Sequence, residues 1–141
     1  MSAGLRPGLE GVFRYRVPGD KTVPDIYPEA PDFQLMPRVL ATGYMVALME
    51  WACIELIKPH IDWPREMTLG THVDLSHMAA TPPGLTVEVT ATLTAVEGRK
   101  LVFSIRARDD AEPIGEGRHE RHVIDAQRFA DKVAQKRASA A

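Results

Sequence analysis

Apolar and polar positions alternate strictly along residues 85–96, LTVEVTATLTAV. Val87, Val89, Ala91, Leu93 and Ala95 stand against Thr86, Glu88, Thr90, Thr92 and Thr94. A period of two predicts a half-buried strand. Glu97-Gly98 turns the chain, and LVFSIRARDD predicts a return strand with Leu101, Phe103, Ile105 and Ala107 on one face. EMTLGTHVDLSHMAA, before this pair, predicts another extended stretch. After a turn at residues 109–113, IGEGRHERHVI predicts the last strand. Its Gly115 and Gly117 predict a bulge or a close approach of backbone. A short first strand is expected in GVFRYRVPGDKTV, ending at Pro18-Gly19.

The stretch ATGYMVALMEWACIEL, residues 41–56, does not alternate. It predicts a helix from Thr42, as N-cap, through Gly43 to about Lys58, stopping before Pro59. A helix apolar nearly all round is buried on most sides. That requires a sheet wrapped around it or a partner subunit. Residues 18–41, with Pro18, Pro24, Pro28, Pro31 and Pro37, predict a long irregular loop, either a lid or wall of a pocket or a loop simply pinned to the core by Phe33, Leu35 and Met36. Residues 125–141 predict a short C-terminal helix that frays. The whole chain, 1–141, therefore reads as one α+β domain, a long helix beside antiparallel strands, and a dimer is the economical way to cover the helix.

Composition narrows the function. The 141 residues are 45% hydrophobic and 26% charged, with net charge −2, so nucleic acid is not the expected partner. MSAGLRPGLEG has no apolar core of a signal peptide, and no run is long enough to span a membrane. Cys53 is the single cysteine. It excludes an internal disulfide, reads as a small buried hydrophobe, and fits a reducing cytoplasm.

The chemistry centres on Glu50. Its helical neighbours three and four residues away are Val46, Ala47, Cys53 and Ile54. None can pair with a carboxylate. A charge there is costly unless a distant arginine or backbone N–H satisfies it, and such settings make working acids, bases and nucleophiles. Among the histidines, His77 ends a strand beside the turn MAATPPG, well placed to reach a cleft. His119 and His122 fall on opposite faces of a strand and make a poor metal pair; they read as surface or structural residues, as does His60. His72 can face either way. No metal set, phosphate-cradling loop or serine-nucleophile elbow is present. Thr42, Glu50 and His77 remain, a set suited to acyl transfer. Eight residues separate Thr42 from Glu50, about 12 Å of helix. A two-fold interface is one way to bring Thr42 of one subunit towards Glu50 of the other.

LATGYMVALMEWAC, LGTHVDLSHMAATPPGLTV, AVEGRKL and IGEGRHERHVI together closely resemble the fluoroacetyl-CoA thioesterases of the hotdog superfamily, over about residues 5–136. The resemblance implies a hotdog fold, a long helix wrapped by an antiparallel sheet and dimerised so that the sheets run on. It implies catalytic roles for Thr42, Glu50 and His77, an acyl-site glycine at Gly70, an acyl-site arginine at Arg121 and a pocket-lining phenylalanine at Phe33. A second loop phenylalanine acts as a lid in the fluoroacetyl enzyme; here Met36, a more flexible side chain, holds that position.

The implied reaction is hydrolysis of a short-chain acyl-CoA, with no cofactor beyond the CoA of the substrate. Glu50 attacks or activates water, His77 moves protons and Thr42 orients. Backbone N–H groups near Gly70 or Gly43 stabilise the oxyanion. Arg99, Lys100, Arg118, Lys132, Lys136 and Arg137 are candidates for the CoA phosphates. Two alternatives stay open: an acyl-CoA binding or sensing protein that does not turn over, and an enoyl-CoA hydratase.

Overall fold

The computed structural model describes residues 1–140; Ala141, the last residue of the expected tail, lies outside them. Strand β1 (Glu10–Arg16) leads through two one-turn helices, α1 (Val23–Ile26) and α2 (Pro31–Gln34), into the long helix α3 (Thr42–Ile57). Strands β2 (Glu66–His77), β3 (Thr86–Glu97), β4 (Lys100–Arg108) and β5 (Pro113–Asp125) follow, and helix α4 (Ala126–Ala140) ends the chain. The strands form one antiparallel sheet in the order β1-β3-β4-β5-β2.

The alternation read along β3 holds until a register shift between Leu93 and Ala95. Val87, Val89, Ala91 and Leu93 are buried, and beyond the shift Val96, not Ala95, packs on the core. Leu101, Phe103, Ile105 and Ala107 of β4 are all buried. Against this sheet α3 lays Met45, Leu48, Met49, Ala52, Cys53 and Ile57. Each large apolar side chain so buried contributes about 1.5–3 kcal/mol.

Burial on most sides of α3 is not what a single chain provides. Gly43 and Ala47 are exposed, Trp51 is 46% exposed, and Val46, Glu50 and Ile54 are half-buried. Trp51 leans on Phe13 and Tyr15 of β1, ring centroids 4.8 and 6.1 Å away. Strand β2, at one end of the sheet order, also presents exposed Leu69 and Val73. Helix and edge strand together make an apolar surface around Glu50.

Three local expectations are corrected. The N-cap of α3 is Ala41, and no side chain caps it; the Thr42 hydroxyl is used elsewhere. Helix α3 does end at Ile57, before Pro59 as expected, and Lys58–His60 adds one turn of 3-10 helix. The proline-rich loop contains helices because Pro24 and Pro31 stand in their first turns, where a missing N–H costs nothing. The tail does not fray within the described residues: α4 is continuous to Ala140 with every side chain exposed or nearly so.

Two clamps position the start of α3. Val23 N donates to Val39 O and Ala41 N to Lys21 O, around a bridge between Thr22 and Leu40. Segment 23–39 is thus a closed loop with pinned ends. Leu40 N then donates to Thr81 O at 2.8 Å, tying the helix start to the turn after β2. Thr81 is itself held by its hydroxyl on the buried carboxylate of Asp109, at 2.8 Å. Burial pushes the Asp109 carboxyl up, but hydrogen bonds from Ala111 N, Thr81 Oγ1 and Glu112 N outweigh it and leave it below the usual range.

Candidate active site

Two polar clusters arise from this frame. The first joins the start of α3 to the end of β2. Thr42 Oγ1 and His77 Nδ1 lie 2.8 Å apart, in hydrogen bond. They share a shallow cavity of about 250 Å³ with Val23, Val39, Leu40 and Met78. Nε2 of His77 is enclosed and has no hydrogen-bond partner among the described residues. Burial lowers the His77 pKa, partly offset by the Ala79 backbone, so the ring is held neutral. A neutral imidazole with one nitrogen on a hydroxyl and the other unpartnered is ready to move a proton.

The second cluster surrounds Glu50. Arg121, buried on β5, donates from Nη1 to Glu50 Oε2 at 2.8 Å. Its Nε donates to Thr68 Oγ1 and its Nη2 to Thr68 O, both at 2.8 Å. The carboxylate is therefore satisfied by an arginine 71 positions away in sequence. Its side chain remains 35% exposed, so it lies at the border of the apolar stripe rather than sealed inside it.

Gly70 faces the same carboxylate. A Cβ on Gly70 would stand 2.7 Å from Glu50 Oε2, 3.2 Å from His119 Cε1 and 3.4 Å from Arg121 Nη1. The ladder between β2 and β5 shifts register just beyond it, between Gly70 and His72. The other glycine expectation also has its reason: a Cβ on Gly117 would collide with Asp74 O, a close backbone approach.

His119 belongs here too, against the expectation of a surface or structural residue. It is 1% exposed, and its Nε2 lies 3.0 Å from Arg121 Nη1 and 4.0 Å from Glu50 Oε2. Its Nδ1 donates to His72 O at 2.8 Å. Burial lowers its pKa, with Arg121 adding to that and His72 O and Glu50 opposing. The available signal was its spacing: His119 and Arg121, two apart on one strand, share a face. His122 and His72 are exposed, as opposite faces require.

The other candidates stand apart from both clusters. Phe33 stacks edge-on against Tyr27, 5.4 Å between centroids, within its own loop. Met36 is 50% exposed. Gly43 is exposed at the helix start, where a Cβ would meet Ile26 Cδ1 at 3.1 Å. Lys100 and Arg118 both pair with Glu120, and Arg99 approaches Glu66 at 3.6 Å. Arg99, His122, Arg128 and Lys132 line a cavity of about 380 Å³ on the outer side of β5. Cys53 is buried, which pushes its thiol up to about 12 and leaves it inert. Among the described residues no group of His, Cys, Asp and Glu side chains is arranged to hold a metal ion, and no helix is long and apolar enough to cross a membrane.

A long helix cradled by a five-stranded antiparallel sheet of this order is the hotdog fold. A hot-dog-like protein from Thermanaerovibrio acidaminovorans matches it with TM-score 0.76 at 20% identity, over 92% of this chain and 91% of that one. The family model for the fluoroacetyl-CoA-specific thioesterases matches residues 25–127. The fluoroacetyl-CoA thioesterase of Streptantibioticus cattleyicolor is 49% identical over 136 residues, 96% of this chain and 97% of its own. A variant of a fluoroacetyl-CoA-specific thioesterase with a phenylalanine replaced by alanine, solved with fluoroacetate and CoA, matches with TM-score 0.85 at 49% identity, over 88% of this chain and 98% of that one. The chain belongs to the fluoroacetyl-CoA-specific thioesterase family.

Proposed function

We propose that this protein is an acyl-CoA thioesterase, hydrolysing short acyl-CoA esters such as fluoroacetyl-CoA to the free acid and CoA, without a cofactor. The observation that carries the reading is the one-sided anchoring of Glu50. Arg121 grips Oε2, and no hydrogen bond among the described residues reaches Oε1. A carboxylate held in place with one oxygen free is suited to attack a thioester carbonyl or to draw a proton from the water that does. In direct attack Oε1 bonds to the acyl carbon, the carbon–sulfur bond breaks and CoA thiolate leaves. Water then cleaves the anhydride and returns Glu50. We assign the proton transfers to His77, oriented by Thr42, and the oxyanion contacts to backbone N–H groups near Gly43 or Gly70.

Within one chain about 12 Å of helix separates Thr42 from Glu50, so we assign the complete site to a homodimer. If β2 pairs antiparallel with its copy about a two-fold axis between Val73 and Asp74, Gly70 comes opposite the partner subunit's His77. That operator also covers the apolar surface formed by Val46, Ala47, Leu69 and Val73. We assign the acyl-pocket wall to the loop carrying Phe33 and Met36, and the working compartment to the reducing cytoplasm.

Free-thiol release from a panel of acetyl-, fluoroacetyl-, propionyl-, longer and aromatic acyl-CoAs, with Glu50→Ala alongside, tests the reading. Release by the native chain and not by the variant supports it. Tight binding of the esters without release would make the protein an acyl-CoA sensor instead. In single turnover in ¹⁸O-water, label in the Glu50 carboxylate marks direct attack, with water opening the anhydride at the Glu50 carbonyl.

A further inference from the structure

We propose that His119 is a positioning residue for Glu50: as a neutral imidazole protonated on Nδ1, it keeps Arg121 from gripping both oxygens of the carboxylate. The inference rests on the reading of Glu50 as the reacting group. The argument starts from the His72 carbonyl, which lies 2.8 Å from His119 Nδ1. A carbonyl only accepts, so Nδ1 carries the hydrogen. Nε2 then offers a lone pair, and Arg121 Nη1 donates into it at 3.0 Å.

Each terminal guanidinium nitrogen has two hydrogens. On Nη1 one goes to His119 and the other to Glu50 Oε2 at 2.8 Å. Nε and one hydrogen of Nη2 are spent on Thr68. Arginine and carboxylate often meet fork to fork, through two parallel bonds. Here three of the five guanidinium hydrogens are engaged by Thr68 and His119 and one holds Glu50 Oε2, so the carboxylate is oriented through a single oxygen. Without the acceptor at His119, an Nη1 hydrogen in a site 1% exposed at the ring loses its partner. A buried donor without a partner is costly. Turning the fork towards Oε1 is the remedy closest at hand, and it occupies the oxygen the chemistry needs.

Two variants of the full chain separate this role from simple packing. His119→Phe keeps a ring and removes the acceptor. His119→Gln returns an acceptor oxygen near the position of Nε2. In free-thiol release, Phe is expected to lower kcat about tenfold or more with KM within about threefold, and Gln to recover kcat to within about threefold of the native chain. Native kcat in the Phe variant, or an equal fall in both, overturns the proposal. The ¹⁵N imidazole spectrum of the native protein at pH 7 gives a readout that needs neither variant nor turnover. It should show His119 protonated on Nδ1 and bare on Nε2. An Nε2–H tautomer or an imidazolium overturns the proposal. Absence of turnover in the native chain, by contrast, overturns the thioesterase reading and leaves the spectrum to decide the state of His119.

Discussion

Arg121 Nη1 stands 2.8 Å from Glu50 Oε2, and nothing among the described residues donates to Glu50 Oε1. The guanidinium supplies the compensating charge that the apolar neighbours on α3 cannot. Glu50→Gln preserves shape and a hydrogen-bonding oxygen but removes the nucleophile or base. Its kcat should fall about 10²- to 10⁴-fold, with chemical denaturation close to that of the native chain. Near-native turnover in a thiol-release assay would dismiss Glu50 as the reacting group.

Gly70→Ala should damage activity more than stability. The added methyl carbon would lie 2.7 Å from Glu50 Oε2, the far end of a flexible side chain, while its other near contacts are 3.2 Å or longer. The carboxylate yields and the sheet stays. A kcat loss of about tenfold or more is expected, alongside a melting temperature within a few degrees of native, about 1 kcal/mol or less. A variant that unfolds at room temperature but keeps its specific activity would contradict this.

These two residues show what a sequence can disclose. Glu50 is legible because it breaks an apolar helix. Gly70 is one glycine in a polar strand, and only its likeness to a known family marks it. His119 escaped because alternation separates it from His122 without saying which of the two faces inward. The local sequence offers Thr42 as the cap of its own helix as well as a hydroxyl for chemistry. The structure spends its hydroxyl on His77, 35 positions away. Pairings across such distances leave no period in the chain, whereas the strand faces of β4 and of β3 as far as Leu93, set by neighbours two apart, are readable residue by residue.

Thr42→Val should uncouple the hydroxyl from His77, and Thr42→Ser should keep it. The expected split is a kcat loss of about ten- to a hundredfold for Val against less than about tenfold for Ser. The 2.8 Å contact is half-exposed to exposed, so neither change should cost much in stability. Equal kinetics for the two variants would remove Thr42 from the proton path.

Stability should fall on mild acidification. The pKa values of His77 and His119 are both lowered from 6.5, chiefly by burial. As pH drops below about 6.5 the unfolded chain takes up these protons before the folded one. Folding stability should therefore decline from pH 7 towards pH 5, before ordinary carboxylates titrate. Thermal melting across that window checks the direction, and a flat or rising profile would be at odds with both rings being held neutral.

The pinned loop 23–39 has an evolutionary corollary. Its ends are closed by Val23 on Val39 and Lys21 on Ala41, so whatever lies between can change length or sequence without transmitting the change to Thr42, which follows immediately. The groups proposed to react, Thr42, Glu50 and His77, sit on the helix and the sheet, outside the insert. Such a design would let selection exchange the loop proposed as the pocket wall as a cassette while helix and sheet are inherited intact. Met36, 50% exposed, lies within that cassette.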